Sequence, residues 1–163
     1  MRRARASRLA LALAGVVIGG RAGNATAALA FDPAAMVRLR NATTVLAAAN
    51  LAGANLAGAN LHAILLDRAD LRGANLAGAD LSHAYLGDVT LRGANLQGTN
   101  LYKADLGEAD LQGADLRQAN LAGADLAGAD LAEANLSGAN LTGVNLTGAN
   151  LTYTIMSDGT RHP

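Results

Sequence analysis

Five polar side chains near the middle of this chain are of the types that do chemistry. His62 and Ser82 stand twenty residues apart, with Asp80 two residues before the serine, and together they assemble a base, a nucleophile and an acid. His62 and His83, with Asp67 or Asp80, offer nitrogen and oxygen donors of the kind that hold a metal. Neither set has supporting context. Their spacing is the period of the surrounding sequence, and a convex corner supplies no cleft or oxyanion donors. The glycines lack the strand, loop and helix of a phosphate cradle, and there is no G-G-x-G-x-D calcium motif. The expectation is no enzyme, no catalytic or metal residue and no cofactor.

The elements that position these residues follow from one stretch. Leucine recurs at every fifth residue from Leu46 to Leu151, twenty-two times without a miss, and Met156 takes the next slot. Alanine usually stands two residues before each leucine, with Asn or Asp between them. On an α-helix five steps turn about 500°, so the leucines would form no stripe. On a straight strand they would alternate faces. The pattern works if the chain turns a corner in each pentad: Ala and Leu point inward, Asn or Asp points out, and the two residues after leucine make the corner, where glycine tolerates positive φ.

A slower period sets the number of sides. The second residue after leucine runs Gly, Gly, other, other through Gly53, Gly58, Ala63, Arg68; Gly73, Gly78, His83, Asp88; and Gly93, Gly98, Lys103, Glu108. Four pentads therefore make one coil of twenty residues, each side stacking on its copy one turn later. The repeats from 45 to 156 predict an all-β solenoid of about five to six coils.

Tandem A-(D/N)-L-x-x units over about two thirds of the chain resemble the pentapeptide-repeat family. The resemblance implies a right-handed quadrilateral β-helix with leucine and the small residue two before it inside. Some members resemble duplex DNA in shape and charge and inhibit a type II topoisomerase, which gives an alternative function. This chain departs from them: it has a leader, leucine where they often carry phenylalanine, and Arg72 stacked with Arg92 on the acidic surface.

The ends read differently. Arg2, Arg3, Arg5 and Arg8 precede an apolar run from Leu9 to Gly20 and then small residues, which predicts a signal peptide over 1–30 with cleavage after Ala27 or Ala30. Twelve apolar residues are few against the roughly 20 of a membrane span. The expected location is the periplasm or the exterior, without stable membrane insertion after processing; an uncleaved leader acting as an anchor is the alternative. Residues 31–44 are expected to cap the open bottom of the rod, Asp32 and Pro33 starting a short helix over 34–40. Tyr153, Ile155 and Met156 are expected to cap the top, followed by a turn at 157–160 within a tail of 157–163.

The chain balances 13 basic against 13 acidic residues. Five arginines leave with the leader, so the processed chain is acidic, which disfavours nucleic acid and leaves protein as the expected partner. Two features mark candidate contacts. Leu65 and Tyr85 occupy one outward column where Asn or Asp is usual, with Ile64 beside them. Asp105, Glu108, Asp110, Asp125 and Asp130 form an acidic face, whose simpler reading is that Asp alternates with Asn as a turn residue.

Overall fold

The computed structural model describes residues 46–163. The leader over 1–30, the capping segment 31–44 and Val45 lie outside the described residues. Among the described residues, 46–163, no helix is long and apolar enough to cross a membrane.

Each pentad builds one side and one corner. At the corner the N–H of the alanine donates to the carbonyl of the leucine three residues back, as Ala54 does to Leu51 at 3.0 Å and Ala74 to Leu71 at 3.0 Å. The second residue after leucine has positive φ, from 53° at Lys103 to 73° at Gly148 in the repeats, while the first does not. That is a type II turn. Eight of the twenty corner positions from 53 to 148 take positive φ without glycine: Ala63, Arg68, His83, Asp88, Lys103, Glu108, Gln118 and Glu133.

The residue before each leucine is the paired one. Parallel bridges link residue to residue twenty apart in four columns, such as Asn55 to Asn75, Asn60 to Asp80, Leu65 to Tyr85 and Asn50 to Asp70. Twenty residues thus complete one four-sided coil. Between coils the leucine N–H rises to a carbonyl nineteen residues on (Leu71 to Thr90, 2.8 Å), while the paired residue reaches back twenty-one (Asn95 to Ala74, 2.9 Å).

The interior is a leucine and alanine column. Leu66 through Leu136 are fully enclosed, with Ala74, Ala94, Ala114 and Ala134 between them. Where alanine gives way to threonine, the hydroxyl finds a carbonyl inside. Thr99 Oγ1 donates to Leu76 O at 2.8 Å, and Thr154 Oγ1 to Leu131 O at 2.7 Å. These buried hydroxyls escaped the sequence reading, although the two threonines sit in the alanine slot.

At the C-terminal end the chain turns at 157–160, where Asp158 Oδ1 accepts from the Thr160 N–H and hydroxyl at 2.9 and 2.7 Å. Arg161 then pairs antiparallel with Ile155. The returning segment adds one further backbone contact, His162 N–H donating to Thr154 O at 2.8 Å. Tyr153 points outward, 52% exposed, instead of closing the channel, and Leu141, Leu146, Leu151 and Met156 stay only partly buried.

Candidate functional site

The repeat places every chemically interesting side chain on a convex surface, where each is first of all a turn residue. The side-chain oxygen of the paired Asn or Asp accepts the N–H two residues on, as Asn50 Oδ1 does from Ala52 (3.2 Å) and Asp130 Oδ1 from Ala132 (3.0 Å). Stacked asparagines also hydrogen-bond up the columns: Asn75 Nδ2 donates to Asn55 Oδ1 and Asn95 Nδ2 to Asn75 Oδ1, both at 3.2 Å. This ties each corner and joins successive coils.

The structure does bring His62, Ser82 and Asp80 together. His62 Nδ1 lies 2.9 Å from Ser82 Oγ, and Ser82 Oγ donates to Asp80 Oδ1 at 2.7 Å. The single hydroxyl proton therefore points at the carboxylate, and the imidazole must donate to the serine oxygen. A nucleophilic serine needs the opposite polarity, with its proton aimed at the base. Asp80 Oδ1 also accepts from the Ser82 N–H at 3.1 Å and from Asn100 Nδ2 at 3.0 Å. The Ser82 hydroxyl, ahead of the other donors, holds the Asp80 carboxyl below the usual carboxylate range against the opposing effect of burial. Ser82 itself is 7% exposed.

His83 meets His62 edge to face at 5.5 Å between ring centroids and meets Tyr102 at 5.6 Å on its other side. Lys103 Nζ stands 5.3 Å from the Tyr102 ring centre. Tyr102 joins a ring cluster that the sequence reading did not assemble; its position twenty residues after Ser82 was the available signal. Among the described residues no group of three metal-ligating side chains comes together.

Of the apolar contact residues, Tyr85 is 50% exposed and Leu65 is half-buried directly below it. Ile64 is corrected: it is 4% exposed and fills the interior in the alanine slot, because the residue two before leucine always faces inward. The exposed part of that patch is Leu65 and Tyr85.

The acidic residues fall in two columns, Asp105 with Asp125 and Asp110 with Asp130. Asp105 Oδ1 accepts from Gly107 N–H at 3.1 Å, and Asp125 Oδ1 accepts from Ala127 N–H and Asn145 Nδ2 at 3.0 and 2.9 Å. Asp110 meets Arg92 at 2.6 Å, Arg72 folds back on Asp70 at 2.7 Å, and Arg117 does so on Asp115 at 2.6 Å. Arg68 and Asp88 stand 3.5 Å apart, both well exposed. The carboxylates are thus interleaved with guanidinium groups, and most serve local turns.

A family model described as pentapeptide repeats matches residues 44–82, 79–118 and 119–158. The chain belongs to the pentapeptide-repeat family. The solenoid is therefore a right-handed β-helix of the pentapeptide-repeat type. Among solved structures it is similar to HetL, a pentapeptide repeat protein involved in heterocyst differentiation regulation from the cyanobacterium Nostoc sp. strain PCC 7120. The two share 38% identity over 74% of this chain and 63% of HetL, with a TM-score of 0.58. This chain thus spans less than two thirds of HetL's length. It is also similar to the pentapeptide repeat protein Rfr23 from the cyanobacterium Cyanothece 51142, at 34% identity over 75% of this chain and 94% of that one, with a TM-score of 0.62. Comparison with curated protein sequences returns no match. Pentapeptide-repeat proteins are generally structural or interaction modules.

Proposed function

We propose that this pentapeptide-repeat chain is an exported, noncatalytic rod of five to six coils, closed at its N-terminal end by residues 31–44, that serves as a structural or protein-interaction module. The observation that carries this reading is the polarity of the His62, Ser82 and Asp80 chain. Among the described residues the arrangement resembling a reaction centre has its hydroxyl donating to a carboxylate, and most outward Asn and Asp side chains are engaged in turns and ladders. What remains for recognition is surface, with Leu65 and Tyr85 as the apolar part. Export rests on the basic, apolar and small-residue segments of 1–30.

Cell fractionation tests the export half. Protein lacking residues 1–27 or 1–30 in the periplasm or medium supports it; intact protein confined to the cytoplasm would revive the inhibitor that mimics nucleic acid. The Arg72, Arg92 and Arg117 ion pairs weigh against that rival, because they break the continuity of the negative surface. The interaction half is tested by affinity capture from the compartment where the processed form accumulates. Partner proteins retained by the native rod and lost on Tyr85→Asn support it; capture of the same set by both does not.

A further inference from the structure

We propose that Tyr85 and Asp105 together receive a cationic side chain, arginine by preference, from a protein partner; this deepens the interaction-module reading and rests on it. The chain has three tyrosines, and all three are exposed. Two already have a cation near the ring. Lys103 Nζ lies 5.3 Å from the Tyr102 centroid, and the guanidinium of Arg161 lies 5.0 Å from that of Tyr153. Tyr85 has none among the described residues.

The surroundings of Tyr85 are those a guanidinium requires. Asp105 is its bridge partner one coil up, and Asp125 follows in the same column, at about 4.8 Å per coil. Asp105 is exposed, its Oδ1 takes the Gly107 N–H, and its other oxygen has no hydrogen-bond or ion-pair partner among the described residues. The nearby bases are engaged, Lys103 with Tyr102 and Arg68 with Asp88. Leu65 lies below the ring as an apolar foot. An arginine laid along this column places its methylene stem on Leu65, its planar head on Tyr85 and its N–H groups on Asp105. A phosphate is repelled by the same carboxylates, and a purely apolar side chain leaves Asp105 without a counter-charge.

Two synthetic peptides test this on the full chain. One is Ac-Gly-Leu-Arg-Leu-Arg-Gly-amide; the other has citrulline for arginine, which keeps the shape and removes the charge. In nitrogen-edited NMR titrations the arginine peptide should shift the amides of Tyr85, Asp105 and Gly107. The citrulline peptide should bind about tenfold more weakly, and Asp105→Asn and Tyr85→Leu should each weaken the arginine peptide by roughly fivefold. Tyr85→Phe should retain binding, and added salt should reduce it. Equal binding of the two peptides, shifts centred elsewhere, no binding at millimolar concentration, or indifference to Asp105→Asn would each overturn the proposal. A captured partner that is lost on Tyr85→Leu but kept on Asp105→Asn would remove the cation while leaving the interaction module standing. Both substituted side chains project outward, so an unchanged β-type circular dichroism spectrum separates loss of binding from loss of fold.

Discussion

The Glu108 side chain leans over Gly128, its counterpart one coil above, and its carboxylate occupies the space a Cβ at 128 would take. Lys103 approaches Gly123 and Gln118 approaches Gly138 less closely, their Cγ atoms 3.3 and 3.6 Å from that position, the second an ordinary contact. At these three places a long corner side chain has glycine at the next corner of its column, whereas Arg68 is followed there by Asp88 and Glu133 by Tyr153.

This relationship separates two costs of a corner substitution. Gly128 has φ of 69°, so Gly128→Ala should lose about 1–2 kcal/mol from backbone strain. The end of Glu108 is free to swing away, and its displacement should add little. Urea unfolding of Gly128→Ala with and without Glu108→Ala checks this, since similar losses in both backgrounds are expected. The reverse change at Ala63, where φ is 54°, should stabilise the rod by about 0.5 kcal/mol, the strain relieved exceeding the added chain entropy. A loss of stability there would contradict the strain account.

Interior leucines should differ by height in the rod. Leu101 is fully enclosed, and Leu101→Ala should cost about 2–5 kcal/mol through lost burial and the cavity left behind. Leu146 is only partly buried at the open end, so Leu146→Ala should cost roughly half as much. Equal losses in denaturant unfolding would mean that the C-terminal end is covered in solution.

The outward ladder is not uniformly tolerant. Asn100 Nδ2 donates to Asp80 Oδ1 at 3.0 Å, so Asn100→Asp removes a donor and sets two carboxylates against each other. Asn55 Oδ1 only accepts, from Ala57 N–H and Asn75 Nδ2, and Asn55→Asp should be nearly neutral. Thermal melts at pH 7 should show a clear drop for the first and little change for the second. The drop should shrink below about pH 4, as carboxylates protonate.

Acid should loosen the rod in a defined direction. Asp70, held by Arg72, Asp80, held by the Ser82 hydroxyl, Asp115, held by Arg117, and Asp158, held by the Thr160 hydroxyl, all have carboxyl pKa values lowered on folding. Lowered folded values mean that the unfolded chain binds protons first as pH falls. The stabilisation is present above the ordinary carboxylate range and is lost as pH falls through about 4 and below. Unfolding midpoints measured from pH 7 to pH 2.5 should be flat at first and then decline. A midpoint that rises on acidification would exclude this origin.

Much of the molecule was legible in sequence because the backbone period is itself the fold. Leucine at every fifth residue fits neither helix nor flat strand, so inward leucine and alanine, outward Asn or Asp, and a corner in each pentad were set by spacing alone. The Gly, Gly, other, other rhythm gave the twenty-residue coil for the same reason: residues twenty apart share a column. Ile64 shows where composition misled, since its bulk suggested a surface contact while its slot in the pentad fixed it inside. The tertiary structure decided what depends on side-chain direction and on protons. The Ser82 hydroxyl donates to Asp80 while its oxygen also meets His62, Asn100 donates to Asp80, and among the described residues Tyr85 has no cation over its ring where Tyr102 and Tyr153 do. Spacing assigns residues to columns, but within a column the rotamers and the single proton of each hydroxyl choose among neighbours a few ångströms apart, and that choice is made only when the coils stack.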